Sequence, residues 1–284
     1  MIDTSRASST HLQSRERWRA KYGPWTLVTG ASEGIGREMA RRVAAAGLHL
    51  VLVARREEAL HLLAAELTAE YGIETRVLVA DLAREEGVAA VLTGSADLDV
   101  GLLIAAAGFG SSGRFIDASL PDELAMLDVN CRALLALTFH FGRRFADRGR
   151  GGLVLMSSVV AFQGVPKAAH YAATKAYVQT LAEALHVELA PLGVDVVASA
   201  PGPVHSGFAA RAGMRLGLAL TPSDVAQATL DALGRRATVH PGWLSKLLAY
   251  SLAPLPRSAR VRVMGRVMAG IAAPNHSRDR RAIR

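Results

Sequence analysis

The chain holds a single cysteine, Cys131, among 284 residues. That excludes an intrachain disulfide framework, and a reducing compartment, the cytoplasm, is the expected location. A lone thiol is more often a small buried hydrophobe than a nucleophile, so Cys131 is given no chemistry. Aromatic residues make up only 5% while half the chain is apolar, so any core must be aliphatic, and intrinsic disorder is excluded. No apolar run reaches the roughly 18–20 residues of a spanning helix. The longest, WLSKLLAYSLAPLP at 243–256, is broken by Lys246, Pro254 and Pro256. The chain is therefore expected not to cross a membrane. The opening MIDTSRASST lacks the apolar core of a secretory signal, and Asp3 and Glu16 argue against a transit peptide. No metal-ligand pattern is read from the sequence.

Acidic residues are scarce at both ends. Residues 257–284 hold eight Arg against one Asp, and residues 1–24 hold five Lys or Arg against two acids. The formal net charge of +8 therefore belongs to the ends, and residues 25–256 are left at −2. A nearly neutral body argues against nucleic acid as a partner, although basic tails can touch anionic surfaces.

Against these absences stands a regular alternation. WTLVT (25–29), LHLVLVA (48–54), ETRVLVA (74–80), VGLLIAA (100–106), GLVLMSS (152–158) and VDVVASA (194–200) are short, almost continuous apolar runs. Strands buried on both faces of a parallel sheet read this way. Helical patterns lie between them at 34–46, 57–71, 84–93, 121–146 and 168–190, and ATVHP (237–241) offers a seventh strand. The fold predicted is α/β, a doubly wound, Rossmann-like parallel sheet with ligands at the carboxyl ends of its strands. Residues 1–24 read as a basic arm, 25–241 as one dinucleotide-binding and catalytic domain, and 242–284 as a helical extension with a basic tail.

The segment TGASEGIG (29–36) joins the first strand to the first helix. Gly30, Gly34 and Gly36 permit a tight turn and close approach to a pyrophosphate, and the helix start supplies amides and positive dipole. No Gly-Lys-Ser/Thr follows, so a triphosphate loop is excluded. The second strand ends in Ala54-Arg55-Arg56, where an NAD-binding fold places an acid for the ribose 2′-hydroxyl. Two guanidinium groups suit a 2′-phosphate, so NADP is favoured over NAD, unless both merely begin a solvated helix. Further on, HYAATKAY (170–177) sets Tyr171 and Lys175 on one helix face, one turn apart. Either this is a solvated face or the ammonium lowers the phenol's pKa so that it trades protons.

TGASEGIG, then YAATK, with Ser158 thirteen residues before Tyr171, resemble the short-chain dehydrogenase/reductase family over residues 25–240. The segment pattern is similar to NADP-dependent 3-oxoacyl and hydroxysteroid reductases. The resemblance implies that Ser158 binds the substrate carbonyl, Tyr171 is its acid or base, Lys175 holds the nicotinamide ribose, and Asn130 anchors a relay water. Ser157 is the competing serine. It implies cofactor contacts from Gly30, Ser32, Gly34, Ile35 and Gly36, from Arg55 and Arg56, and from Asp81 and Leu82. Further contacts fall to Ala107, Gly108, Tyr171 and Lys175, then to Pro201, Gly202, Val204 and Ser206. Phe109, Phe162, Val165, His170, His205, Phe208 and Met214, beside these motifs, are expected to line a mostly apolar substrate pocket. His170 or His205 is either wall or catalytic assistant. The sequence departs from the family where AAAG (105–108) replaces Asn-Asn-Ala-Gly, where Ala161 replaces a glycine, and where Ser206 replaces a threonine. Looser positioning after the fourth strand is expected from the first change.

The function expected is NADP-dependent hydride transfer between nicotinamide and a hydrophobic ketone or its secondary alcohol, of 3-oxoacyl, steroid-like or aromatic type. Reduction of a C=N bond, epimerisation, and non-catalytic cofactor sensing are the competing classes. In the tail, Val261, Val263, Met264, Val267, Met268 and Ile271 fall on one helix face with Arg262 and Arg266 opposite. That apolar face is expected to cover a subunit of a homodimer or homotetramer, or the rim of the chain's own pocket. An anionic membrane surface is the alternative.

Overall fold

The computed structural model describes residues 16–207, 211–213 and 218–271. Seven strands, β1 (Trp25–Thr29), β2 (His49–Ala54), β3 (Thr75–Val79), β4 (Val100–Ala105), β5 (Gly151–Met156), β6 (Val194–Ser199) and β7 (Thr238–Val239), form one sheet in the order β3-β2-β1-β4-β5-β6-β7. Every pairing is parallel. Most strands are a residue or more shorter than their apolar runs, because the runs continue into the loops that leave the sheet. The strand order reverses direction between β1 and β4, which opens a crevice at their carboxyl ends.

Helices cover both faces. Residues 16–22 form α1, followed by α2 (Gly34–Ala45), α3 (Glu57–Tyr71) and α4 (Glu85–Gly94). Met39 and Val43 of α2 and Leu60, Leu63 and Leu67 of α3 are fully buried against one sheet face. Next come α5 (Leu120–Leu127), a π-helical turn (Asp128–Ala133) and α6 (Leu134–Asp147), where the sequence predicts one helix over 121–146. On the second face, Leu137, Phe141 and Phe145 of α6 pack with Val91 of α4 and Val178 of α7 (Ala169–Leu189). The stretch Leu120–Asp147 is long and apolar enough to cross a membrane by length and composition. This corrects the expectation that no such segment exists. The sheet takes its apolar side: Phe141 and Phe145 are 0% exposed.

Beyond α8 (Pro222–Ala232), which starts with a Thr221–Asp224 capping box, lie α9 (Gly242–Leu252) and α10 (Arg257–Ile271). These two do not extend into solvent. Leu252, Met264 and Met268 join Met126, Val165, Ala168, Tyr171 and Ala172 in a third apolar cluster. Arg260 donates to the carbonyls of Leu255 at 2.8 Å and Ala253 at 2.6 Å, capping the exit of α9 with a side chain of α10.

Candidate active site

The glycine loop folds as its spacing requires. A Cβ on Gly36 would lie 2.4 Å from the carbonyl oxygen of Gly30, so α2 can start against the loop only with glycine there. Gly30 has φ +69° and lies so close to Ala107 that a Cβ would be 2.9 Å from its Cα. Both positions demand glycine. The missing Asn-Asn side chains after β4 do not leave that segment untied, because Thr29 Oγ1 accepts from the backbone N–H of Ala107 at 3.0 Å.

A cleft of about 740 Å3 runs along the carboxyl ends of β1 to β4. Gly30, Ser32, Gly34, Ile35, Gly36, Arg55, Arg56, Asp81, Leu82, Ala107 and Gly108 all line it, as do Phe109 and Ser206. Its lining by the ends of four strands, with the N-terminus of the twelve-residue helix α2 in its wall, fits a dinucleotide. The two arginines differ. Arg56 donates to the carbonyl and hydroxyl of Ser32, each at 3.2 Å, and pairs with Glu33 at 2.9 Å. Arg211 pairs with the same carboxylate. Arg55 is exposed on the cleft wall and has no ion-pair partner among the described residues.

A second cavity, of about 170 Å3, adjoins the cleft through Ile35, Ala106, Gly108 and Ser206. Ser158, Tyr171 and Lys175 meet in it. Ser158 leaves β5 in extended conformation and its hydroxyl hydrogen-bonds Tyr171. Ser157 also borders the cavity, but its hydroxyl donates to the carbonyl of Lys175 at 3.2 Å, so Ser158 is the serine at the tyrosine. Lys175 donates to the carbonyl of Met156 at 2.7 Å, with Nζ 5.8 Å from the centre of the Tyr171 ring. Asn130 is fully buried in the π-helical turn. Its side chain accepts from Phe109 N–H at 3.1 Å and donates to Phe109 C=O at 2.9 Å and Thr174 Oγ1 at 3.1 Å. A π turn at such a position is a frequent device of functional sites.

The electrostatics correct one expectation. Burial pushes the Tyr171 phenol up to about 12, and only its hydrogen bond with Ser158 pulls the other way. Burial lowers Lys175 to about 8. The protein's own groups therefore favour the protonated phenol, the form that donates to a carbonyl oxygen.

The short chain dehydrogenase family model matches residues 24–215. The chain belongs to that family. The dehydrogenase is 32% identical over 237 residues to the 7beta-hydroxysteroid dehydrogenase of Collinsella aerofaciens, covering 80% of this chain and 89% of that one. It is 36% identical over 184 residues to a very-long-chain 3-oxoacyl-CoA reductase of Podospora anserina, covering 62% and 53%. Among solved structures, a 7beta-hydroxysteroid dehydrogenase superposes with a TM-score of 0.81 at 30% identity, over 87% of this chain and 98% of that one. A short-chain dehydrogenase from Sphingobium yanoikuyae in complex with NADPH gives 0.75 at 34%, over 85% and 95%. The protein is thus an oxidoreductase acting on CH–OH donors, in a family that uses NAD(P).

The substrate side of the dehydrogenase differs from the sequence expectation. Pro201, Gly202, Val204 and Ser206 do line the catalytic cavity. Of the residues assigned to the pocket, none of those described does. Phe109 lines the cofactor cleft instead. Val165 is 2% exposed and packs in the third apolar cluster beside Tyr171. Phe162 packs against His240, its ring tilted by 54° with centroids 5.3 Å apart. His170 precedes Tyr171 on α7, so its side chain turns about 100° away, toward Glu123 at 4.0 Å. His205 is exposed, and its backbone N–H donates to the carbonyl of Leu220. Phe208 and Met214 lie outside the described residues. The apolar wall comes from Leu248 of α9 and from Met264, Val267 and Met268 of α10. The i, i+3, i+4 spacing of the last three was legible in the sequence, but not where that face lands. Ser245, also unforeseen, is fully buried on α9 and accepts from the N–H of Gly202 at 2.7 Å, fixing the loop after β6.

Proposed function

We propose that the protein is an NADP-dependent reductase of a bulky apolar ketone, working reversibly on the corresponding secondary alcohol. The observation that supports it best is the cavity wall: the catalytic trio faces Leu248, Met264, Val267 and Met268, and among the described residues Lys175 is the one charged side chain that lines the cavity. Such a wall favours a large hydrocarbon surface over a sugar. Relatives named for 7beta-hydroxysteroid and 3-oxoacyl-CoA substrates agree with a steroid-like or long acyl ketone. Bound in the cleft, the nicotinamide supplies or accepts the hydride. The chain's own part is to hold the carbonyl oxygen on the hydroxyls of Ser158 and Tyr171 and to deliver the phenolic proton to it. Asn130 fixes Thr174 and the Phe109 backbone, and thereby the helix turn that carries Tyr171 and Lys175.

NADP is favoured by Arg55, whose guanidinium is not committed, and by Ala54 where a carboxylate would repel phosphate. The similar Sphingobium yanoikuyae structure holds NADPH. The deciding experiment follows NADPH and NADH consumption with steroid, 3-oxoacyl thioester and aromatic ketones. Turnover of at least one bulky ketone is expected with NADPH and lost in Tyr171→Phe; no turnover across the panel would reject the reading. Arg55→Ala should raise KM for NADPH by roughly ten- to a hundredfold and spare NADH, since a charge-assisted phosphate contact is worth about 1.5–3 kcal/mol. Arg56→Ala should impair both cofactors, because it releases the loop at Ser32 and Glu33.

Self-association is part of the same proposal. Leu124, Leu127, Leu135 and Phe139 along α5 and α6, with Tyr177 of α7, are 39–63% exposed on one side of the molecule. A contiguous apolar surface of this kind suits a second copy of the chain.

A further inference from the structure

The C-terminal pair has an outer side as well as an inner one. On α9, Trp243, Leu247 and Tyr250 recur at i, i+4 and i+7 and are 63%, 53% and 66% exposed. Lys246 is exposed on the same side, while Ser245 and Leu252 are buried opposite and Leu248 reaches the catalytic cavity. On α10, Arg257, Arg262 and Arg266 are exposed. Residues 242–271 contain no Asp or Glu at all. From Gly242 to the last residue the sequence has nine Lys or Arg and one Asp, which equals the protein's entire net charge of +8. Everything before Gly242 sums to zero.

We propose that the outer side of α9 and α10 docks on an anionic lipid surface. Trp243, Leu247 and Tyr250 enter the boundary between headgroups and acyl chains, and Lys246 and the arginines pair with headgroup phosphates. Each part of the surface suits that partner. Trp and Tyr carry an apolar body and a polar tip, the combination that settles at a bilayer interface. An apolar helix stripe flanked only by cations selects negative headgroups over a neutral protein surface. A second copy would bring the same cations face to face, a repulsion with no acid within residues 242–271 to relieve it. The helix that would touch lipid through Leu247 touches the catalytic cavity through Leu248, so an apolar ketone dissolved in the bilayer would arrive beside the site that reduces it. Only that last point rests on the ketone reading; the docking does not.

The test is sedimentation of the full chain with phosphatidylcholine vesicles, with and without phosphatidylglycerol, at low and high salt. Binding is expected only with phosphatidylglycerol, weakened by salt. The variant Trp243→Ser/Leu247→Ser should bind roughly tenfold or more weakly, with its oligomeric mass and its turnover of a water-soluble ketone unchanged. Lys246→Glu, which keeps the apolar stripe, should weaken binding as well. Absence of binding to anionic vesicles overturns the proposal. So does binding that both variants retain, or a drop in oligomeric mass in the first variant without any vesicle binding, which assigns the face to a second copy. Because the readout is sedimentation, failure here is separate from failure to find a ketone substrate.

Discussion

Lys175 is only 5% exposed, and burial lowers its pKa from 10.5 to about 8 although Met156 accepts a hydrogen bond from it. An amine whose folded pKa lies below its unfolded value binds fewer protons when native. Its charge therefore opposes folding fully below about pH 8, and that opposition is relieved as pH rises from about 8 toward 10.5. A shift of this size corresponds to about 3 kcal/mol. Lys175→Met should consequently abolish turnover yet stabilise the fold at pH 7 by about 1–2 kcal/mol, after allowing about 1 kcal/mol for the Met156 carbonyl left without its donor. Denaturant unfolding at pH 7 and near pH 10 checks it, and the gain should fade at the higher pH. The motif spacing made Ser158, Tyr171 and Lys175 legible as a set, because residues four apart on a helix share a face whatever lies around them. The direction of the Tyr171 shift was not legible. It is decided by burial among Val165, Met264 and Met268, of which the two methionines lie some ninety residues further along the chain.

At the scale of elements, the strands were the clearest part of the sequence, since each is apolar on both faces and bounded by loop residues. The π turn left no comparable trace: DVNCRA (128–133) continues the apolar periodicity of its neighbours, and its wider backbone turn has no residue signature. Helix α10 stands between these cases, its amphipathic pattern visible and its target hidden. Because Met264 and Met268 are both 4% exposed and line the catalytic cavity, their removal should act on stability and on substrate together. Met268→Ala is expected to cost about 2–5 kcal/mol in unfolding free energy, as buried Met truncations do. It should also raise KM for a bulky ketone more than for a small one, with kcat much less affected. Equal KM changes for both ketones would mean that α10 supports the fold without shaping the pocket.

For the molecule as a whole, helices on both sides of the sheet bury its central strands, while the edge strand β3 stays partly open, with Val79 47% exposed. Among the described residues, the exposed apolar side chains that recur along helices lie on α5, α6 and α7 and on α9, with others such as Leu62, Phe115, Ile116 and Leu218 scattered outside them. The apolar half of the composition does not say which of these residues stay exposed; that depends on packing and could not be read in advance. If the α5–α7 side joins two copies, Phe139→Glu should place a charge in the apolar contact and lower the mass in analytical ultracentrifugation. The same variant should leave vesicle sedimentation intact, since α9 lies on separate elements. An unchanged mass would remove that side from the assembly.

The capping contact of Arg260 gives the C-terminal pair a mechanical character. Its guanidinium bolts the connection between α9 and α10 at two carbonyls, Ala253 and Leu255, so the corner resists bending. The helices then behave as an angled lever, with Trp243 near one end and Met268 near the other. If a lipid surface holds Trp243, a load on that end would be carried across the corner as torque on the cavity roof of Met264 and Met268, and would change the clearance above Tyr171.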